Sequence, residues 1–269
     1  MNTEFTRRSF VTGALCGICA AGGYAFGLRH DKRTPVTADD TLVTRTSTER
    51  AAAQPNGLFR VRTSEPLVAL TFDDGPDPTY TPDVLDLLER RRAGATFFVV
   101  GVNALAHTEL LKRTMGDGHS VGNHTYDHRE LELLDAAGVR VEIDRGERSL
   151  VRAGAPNPNL FRPPKGFTDE VVGVLADAER YRTVFWDVCV ERFVNHQPVT
   201  AGVAGLLARI RPGSIILAHD SGMITGSGRS PLSRARTMQA LPMLLEGLAA
   251  AGLTVVDVPT LLRRTGGGS

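Results

Sequence analysis

Short apolar runs alternate with amphipathic stretches between about residue 66 and residue 258 of the chain. The apolar runs have the length and composition of buried strands and predict β-strands over Leu67–Phe72, Ala95–Val100, Ser120–Asn123, Leu160–Arg162, Thr183–Asp187, Ser214–Ala218 and Leu253–Val258. The stretches between them predict α-helices over Pro82–Arg92, Ala104–Asp117, Glu130–Arg152, Asp169–Ala178, Val203–Arg209 and Thr237–Ala251. Alternation of strand and helix favours parallel pairing through right-handed crossovers, so the pattern predicts an α/β domain, a closed or nearly closed barrel of about seven parallel strands.

The N-terminus carries the pattern of an export signal. Arg7 and Arg8 precede the uncharged apolar segment Val11–Phe26, which is too short and too rich in Gly and Ala for a comfortable membrane span. These features resemble a bacterial Tat signal, which we assign to residues 1–27. The alternative is a chance pair of arginines before a buried helix. The resemblance implies an exported protein, secreted or associated with the cell wall, with no stable membrane partner beyond the signal.

Two of the three cysteines, Cys16 and Cys19, lie within this apolar segment. The residues before them, Leu15 and Ile18, are bulky where a lipoprotein anchor needs a small side chain, so we expect no lipid anchor. Without the segment Cys189 is the remaining cysteine, which argues against structural disulfides. We expect Cys189 to be a small buried residue rather than a metal ligand or a redox group.

Composition and polarity then set the domain boundaries. Residues 28–60 are polar and show no sustained period, which predicts a flexible linker before a folded domain over residues 61–265 and a flexible tail over residues 266–269. The chain has 31 Lys and Arg against 30 Asp and Glu, a net charge of +1, which gives no general attraction for nucleic acid. With 42% hydrophobic and 23% charged residues, a disordered chain is excluded. We expect a monomer.

Two acidic residues stand at the end of the first predicted strand. Asp73 and Asp74 follow Leu67–Phe72 directly, and Gly75 and Pro76 then turn the chain. In parallel α/β folds, functional residues cluster where strands end and loops begin. Successive strand residues face opposite sides, so a turn is needed if both carboxylates are to face one site. An Asp that caps a helix or forms a turn is the alternative.

Two histidines follow the third predicted strand. If a helical turn begins there, His124 and His128 are i,i+4 neighbours about 5–6 Å apart, a spacing that suits two imidazoles on one metal ion. A carboxylate from a neighbouring strand end would complete a facial set of two His and one Asp, which leaves positions open for water and substrate. By itself, the H-x-x-x-H pattern is a weak signal.

Two later strand ends carry further candidate groups. Arg162 begins the stiff segment Arg162–Gly166, and its guanidinium is suited to holding a carboxylate in a fixed orientation. A rigid surface turn is the alternative for this segment. His219 and Asp220 follow the apolar strand Ser214–Ala218, a position that favours a general acid over a core histidine.

Four motifs in this order resemble the polysaccharide deacetylases of the NodB-homology group, carbohydrate esterase family 4. They are Thr71-Phe72-Asp73-Asp74-Gly75-Pro76, His124-Thr125-x-x-His128, Arg162-x-Pro164-x-Gly166 and Leu217-x-His219, accompanied by Gly94-Ala95-Thr96-Phe97-Phe98-Val99 on the second strand. The resemblance extends over about residues 66–258. The joint occurrence of the motifs in order is far more specific than any one of them.

The resemblance implies a fold, an activity and a cofactor. The fold is a distorted (β/α) barrel, and the activity is metal-dependent removal of acetyl groups from sugars. Asp74, His124 and His128 are implied as ligands of a divalent metal, most often Zn²⁺ and sometimes Co²⁺ or Ni²⁺. Such an ion lowers the pKa of bound water and polarises a carbonyl group.

The resemblance also implies roles for the remaining motif residues. Asp73 would be the general base, Arg162 would position Asp73, and His219 would protonate the leaving amine or alcohol; a positioned acid or base adds roughly 10²–10⁴ in rate. The implied substrate-binding residues are Pro164, Lys165, Phe193 and Leu217. Lys165 stands where the family usually carries an aromatic residue, which would change the fit of the substrate.

The family's fourth motif, Asp-x-x-Asp-Trp, is altered in this chain. The corresponding segment contains Arg192 and Phe193. We expect Arg192 to lie near His219, where a cation would lower the pKa of the imidazole and disfavour its acid form. Compensation by Glu191 or Asp220 is the alternative. We expect Phe193 to preserve a hydrophobic wall of the site.

The motifs together predict an exported, metal-dependent deacetylase of an acetylated glycan, with chitin, peptidoglycan and acetylated xylan as candidate substrates. A rival hypothesis, suggested by the altered fourth motif, is a catalytically impaired family member that binds cell-wall glycan. A third, hydrolysis of a small cyclic amide on the same barrel, is disfavoured because such relatives usually alter the first motif or the histidines.

Overall fold

A computed structural model describes residues 57–156, 158–166, 172–173, 175–176, 181–222, 224–225, 228–229 and 233–264. The predicted signal, the tail and most of the linker lie outside the described residues. So does most of the helix predicted over Asp169–Ala178. No helix in the described part of the chain is long and apolar enough to cross a membrane.

Parallel strands form the central sheet. The strands of the described residues are β1 (Leu67–Asp73), β2 (Thr96–Val99), β3 (Ser120–Asn123), β4 (Leu160–Phe161), β5 (Arg182–Thr183), β6 (Val188–Cys189), β7 (Ile215–His219), β8 (Ile224–Thr225), β9 (Gly228–Arg229) and β10 (Thr254–Val256). The sheet runs in the order β5-β4-β3-β2-β1-β7-β6, β10 pairs with the first half of β1, and β8 and β9 form a separate antiparallel pair. The predicted parallel α/β sheet is confirmed, with seven consecutive strands in an open half-barrel.

Helices cover the outside of the sheet. Among the described residues they are α1 (Thr81–Arg91), α2 (Gly101–Ala106), α3 (Thr108–Gly116), α4 (Ala136–Arg152), α5 (Val190–Val194), α6 (Val199–Leu207), α7 (Ala235–Ala250) and α8 (Val258–Arg264). The helix predicted over Ala104–Asp117 is two helices, because His107 leaves the helical conformation. The strand predicted over Thr183–Asp187 is wrong in its extent, since two short strands, β5 and β6, occupy this region.

The first strand is buried on both faces. Val68 and Phe72 pack into a core cluster with side chains of α1 and α7, whereas Ala69 packs with Trp186 and Leu217 on the other face. A strand covered on both sides is expected to be apolar throughout, as this one is except for Thr71 and its last residue, Asp73. The polar end of β1 therefore marks the edge of the core.

A short segment before β1 lies between the end of β5 and the start of β7. Leu58 forms a bridge with Val184, and Arg60 forms one with Ser214. No ladder in the described part of the chain joins β5 to β6 directly. Paired backbone therefore begins a few residues before the predicted domain boundary at residue 61.

This segment packs closely on a turn before β7. Gly213 has a φ of +82°, and a Cβ built there would lie 1.8 Å from the carbonyl oxygen of Val61. Gly252 has a similar φ of +73°, but a Cβ there would meet no atom of the described residues within 4 Å. The two glycines thus share a left-handed backbone and differ in the space around them.

We expect Gly252→Ala to lower the free energy of unfolding by about 1 kcal/mol, the cost of a left-handed alanine. Gly213→Ala should lower it by about 1–3 kcal/mol more, because the backbone of Val61 has to move. Urea denaturation of both variants measures the difference. Equal losses would show that the backbone of Val61 accommodates the added methyl group at no cost in stability.

Candidate active site

The two acidic residues at the end of β1 face the same site because the chain turns between them. Asp73 is the last residue of the strand, and Asp74 has a φ of +79°. A cis peptide bond follows between Gly75 and Pro76. A Cβ on Gly75 would lie 2.3 Å from the carboxylate of Asp220, so a larger residue does not fit there. The predicted turn is present, and it brings both carboxylates to the carboxyl end of the sheet.

The two histidines also come together, but the helical turn predicted for them is wrong. Residues 124–130 are a loop, in which Thr125 and His128 have positive φ values of 66° and 54°. The imidazole rings of His124 and His128 have centroids 5.0 Å apart. Left-handed residues fold the loop back on itself and thereby bring the two rings together without a helical turn.

Neighbouring helices hold this loop by its backbone. The N–H groups of Gly101 and Val102, in the first turn of α2, donate to the carbonyl oxygens of Thr125 and Tyr126. On the other side, a Cβ on Gly146 of α4 would lie 2.8 Å from the carbonyl carbon of Thr125. The conformation of the loop is therefore fixed by α2 and α4.

Asp74, His124 and His128 form a compact set of ligand atoms. Among the described residues it is the only group of three or more His, Cys, Asp or Glu side chains whose ligand atoms all lie within 4.8 Å of one another. Oδ1 of Asp74 lies 3.3 Å from Nε2 of His128 and 3.6 Å from Nε2 of His124. Burial lowers the pKa of His128 to about 4, so its imidazole is neutral near pH 7. These three side chains are suited to holding a divalent metal ion.

Arg162 is fully buried and holds Asp73. Its Nη1 donates to Oδ1 of Asp73 at 2.6 Å and to the hydroxyl of Thr71 at 3.0 Å. Its Nε and Nη2 donate to the carbonyl oxygens of Val184 and Phe185. Removal of either member of such a buried ion pair typically costs about 3–5 kcal/mol. Arg162 and Asp73 thus form the pair expected from the sequence.

His219 pairs with Glu191, which lies on the first turn of α5. Nδ1 of His219 lies 3.2 Å from Oε2 of Glu191, and its backbone N–H donates to Oε1 at 3.1 Å. Burial alone would lower the pKa of His219, but the Glu191 carboxylate raises it to about 9. The expectation that Arg192 lowers this pKa is wrong, because α5 directs Glu191 inward and leaves Arg192 exposed.

Asp220 does not contribute to this pair. Its Oδ2 accepts a hydrogen bond of 2.6 Å from the hydroxyl of Thr81, and its carboxylate packs against Gly75. Burial raises the pKa of Asp220 to about 7. Of the two compensating carboxylates considered from the sequence, Glu191 is the one that meets His219.

The predicted substrate-binding residues are more dispersed than the predicted metal ligands. Pro164 and Leu217 are buried, and Leu217 belongs to the core cluster that contains Trp186. Lys165 is half-buried, has a φ of +58°, and forms an ion pair with Glu130. These positions lie on or beneath the loops at the strand ends.

The prediction that Phe193 forms a hydrophobic wall of the site is wrong. Its ring packs on α6 beside Gly205 and lies 5.9 Å from the guanidinium carbon of Arg209. The same helical register that turns Glu191 inward turns Phe193 toward α6.

Sequence reasoning missed two residues that reach the site from α7. Arg234 is buried and its Nη2 lies 3.3 Å from Oδ2 of Asp74. The hydroxyl of Thr237 donates to Oε1 of Glu191 at 2.9 Å. Arg234 precedes the helix predicted over Thr237–Ala251, and Thr237 is its first residue. The one signal in the sequence was that these two polar residues lie next to an apolar helix face.

We expect Glu191→Gln to lower the pKa of His219 from about 9 to below its ordinary value of 6.5, because burial then acts without the carboxylate. NMR titration of the imidazole carbons measures this pKa. Because the pKa in the folded state is raised, the pair stabilises the fold fully below about pH 6.5 and loses that contribution as the pH rises through about 9.

The control is Arg192→Gln, which removes the exposed neighbour on the same helical turn and should leave the titration of His219 unchanged. A larger effect from Arg192→Gln than from Glu191→Gln would contradict the assignment of the pair.

Known proteins resemble this chain in sequence and in fold. The polysaccharide deacetylase family model matches residues 60–184. The chain is 34% identical over 227 residues to a peptidoglycan-N-acetylglucosamine deacetylase of Bacillus cereus, covering 80% of this chain and 97% of that protein. It is 38% identical over 200 residues to a chitooligosaccharide deacetylase of Bradyrhizobium sp. (strain ANU 289), covering 72% and 90%.

A solved structure supports the same assignment. The crystal structure of a peptidoglycan N-acetylglucosamine deacetylase in complex with 4-naphthalen-1-yl-N-oxidanyl-benzamide is 30% identical in sequence and superposes with a TM-score of 0.68. The superposition covers 77% of this chain and 92% of that one. The chain that carries these strand-end motifs on an open half-barrel belongs to the polysaccharide deacetylase family.

Proposed function

We propose that this protein is an exported, metal-dependent hydrolase that removes acetyl groups from N-acetylated sugars of a cell-wall or chitin-type glycan. One observation carries the proposal: the compact set of Asp74, His124 and His128 lies beside a carboxylate, Asp73, that is held by Arg162. His219 is the cross-strand neighbour of Asp73. The names of the relatives, which act on peptidoglycan and chitooligosaccharides, support the class of substrate.

The residues present fit a divalent cation. Within the described part of the chain, Oδ1 of Asp74 is buried without a hydrogen-bond partner, which is costly unless another group satisfies it. Nδ1 of His124 lies 2.7 Å from the carbonyl oxygen of Arg162. A proton on Nδ1 can therefore be donated to that carbonyl, which leaves the lone pair of Nε2 for the ion. Two imidazoles and one carboxylate are a donor set that suits Zn²⁺, and Co²⁺ and Ni²⁺ take similar ligands.

The ion, when bound, supplies a Lewis acid that polarises the acetyl carbonyl and lowers the pKa of water. Asp73 accepts the proton of the attacking water, and Arg162 fixes the orientation of its carboxylate. Protonated His219 donates a proton to the nitrogen of the leaving amine, since an amide nitrogen leaves poorly without one. Glu191 keeps His219 in its acid form at neutral pH, as the raised pKa of His219 indicates.

The glycan-binding hypothesis has lost the observation that suggested it. It rested on the altered fourth motif, and Glu191 supplies a carboxylate to His219 despite that alteration. Binding of glycan without turnover is therefore one outcome of the activity test rather than a second proposal.

We expect the purified protein to release acetate from chitooligosaccharides or peptidoglycan. A chelator should stop this release, and added Zn²⁺ or Co²⁺ should restore it. Asp73→Asn should lower kcat by about 10²–10⁴, because the base is removed and the shape is kept. Asp83→Asn, which changes an exposed carboxylate on α1, is the matched control and should retain full activity.

The assay includes acetylated xylan, so that N- and O-deacetylation are compared in one panel. Absence of acetate release from all three glycans by the metal-loaded protein would overturn the proposal. Glycan binding that is equal in wild type and Asp73→Asn, without turnover, would instead establish a binding module.

We propose export through the Tat pathway from the pair Arg7 and Arg8 ahead of an uncharged apolar segment. A fusion of residues 1–60 to a reporter that is active outside the cytoplasm should be exported in a bacterium with a Tat system. Replacement of both arginines by lysine should abolish export, because the pair is the recognised signal. Equal export of the fusion with and without the arginine pair would contradict this assignment.

A further inference from the structure

The N-terminal end of α7 reaches into the site from a part of the chain that contains none of the motifs described above. Arg234 immediately precedes the helix and is only 3% exposed. Its Nε donates to the carbonyl oxygen of Ser221 at 2.7 Å, and its Nη2 lies 3.3 Å from Oδ2 of Asp74. Two nitrogens of one planar group are thus engaged at once, which fixes the guanidinium in place.

This contact divides the two oxygens of Asp74 between different partners. Oδ2 faces Arg234, whereas Oδ1 faces the Nε2 atoms of His124 and His128. With Oδ2 held, one oxygen of the carboxylate remains directed at the position between the histidines. Arg234 therefore leaves Oδ1 as the oxygen of Asp74 that would meet a metal ion.

Arg234 also supplies a cation to a buried carboxylate, as Arg162 and His219 do. Asp73 is paired with Arg162, Glu191 with His219, and Asp74 with Arg234. Without Arg234, the Asp74 carboxylate would lack its guanidinium partner whenever the site holds no metal ion. A buried carboxylate without a partner is strongly destabilising.

Thr237 lies one turn further along the same helix and supports the other side of the site. Its hydroxyl donates to Oε1 of Glu191 at 2.9 Å, and Oε2 of Glu191 faces Nδ1 of His219. One helical turn therefore supports both the metal ligand Asp74 and the carboxylate behind the proton donor.

We propose that Arg234 and Thr237 are positioning residues, Arg234 for Asp74 and Thr237 for Glu191, so that the first turn of α7 aligns the metal site with the acid. This inference rests on the proposed function. A positioning role differs from a purely structural role, because its loss should affect the metal site and proton donation separately from any effect on stability.

The test of Arg234 compares Arg234→Gln with Arg236→Gln. Arg236 lies on the same turn and donates to the carbonyl oxygens of Val194 and Gln197, away from the site, so it is a matched control. Melting temperatures are measured in chelator and in saturating Zn²⁺. We expect Zn²⁺ to raise the Tm of Arg234→Gln by more than it raises that of wild type or Arg236→Gln. The reason is that the ion supplies Asp74 with a positive charge in place of the missing guanidinium.

A second readout is the visible absorption spectrum of the Co²⁺-loaded protein, which reports the geometry of the ligands. It should change in Arg234→Gln and not in Arg236→Gln. At saturating metal, kcat on a chitooligosaccharide should fall about 10–100-fold in Arg234→Gln, with KM for the glycan unchanged.

An equal Zn²⁺-induced shift in Tm together with an unchanged Co²⁺ spectrum would overturn the role of Arg234 and leave the proposed function intact. A wild-type protein that binds neither Zn²⁺ nor Co²⁺ would overturn both. If Arg234→Gln does not fold, Arg234→Lys keeps the charge but has a single nitrogen for two partners. Its Co²⁺ spectrum should then differ from that of wild type, and an identical spectrum would contradict the proposal.

The test of Thr237 uses the leaving group. Thr237→Val keeps the shape and removes the hydroxyl, whereas Thr237→Ser retains it. A hydrogen bond to a carboxylate is lost in Thr237→Val, so kcat on the N-acetylated oligosaccharide should fall about tenfold or more. Turnover of an aryl acetate by Thr237→Val should be unchanged, since its leaving group departs without protonation. Thr237→Ser should restore turnover of the oligosaccharide. Equal losses on both substrates in Thr237→Val would show a structural role only.

Discussion

The site depends on a guanidinium that is removed from water. Arg162 donates to a carboxylate and a hydroxyl of β1 and to two carbonyl oxygens beyond β5, and its Cζ lies 4.0 Å from the ring centroid of Phe98. An isolated buried charge would be prohibitive, so this side chain is tolerated only because its donors are engaged on several sides. The carboxyl ends of three strands are thereby tied to one planar group, and Asp73 has little freedom to rotate.

The rest of the site repeats this arrangement of one buried carboxylate with one buried cation. The partners come from distant parts of the chain: the pair of His219 joins β7 to α5, and the pair of Asp74 joins the end of β1 to the start of α7. Each pair therefore connects two elements as well as balancing charge. The open half-barrel allows such connections because the ends of its parallel strands meet at one edge.

Much of this arrangement was predictable from the sequence, because strand ends are local features. The parallel sheet and the membership of the family are confirmed, and Asp73, Asp74, His124, His128, Arg162 and His219 do meet at one edge of the sheet. The orientation of Glu191 and Arg192 was not predictable, since it depends on where α5 begins. Arg234 was also missed, because 160 residues separate it from Asp74 and no local pattern records a contact over that distance.

The loop that bears the two histidines is held through backbone atoms, by amides of α2 on one side and by the bare Cα of Gly146 on the other. Carbonyl oxygens are the same in every residue, so these contacts do not depend on which side chains occupy positions 126 and 127. Thr125 differs, because it is buried and its hydroxyl accepts a hydrogen bond from the backbone N–H of His128. Positions 126 and 127 should therefore accept substitutions over evolutionary time more readily than Gly146 accepts a single added methyl group.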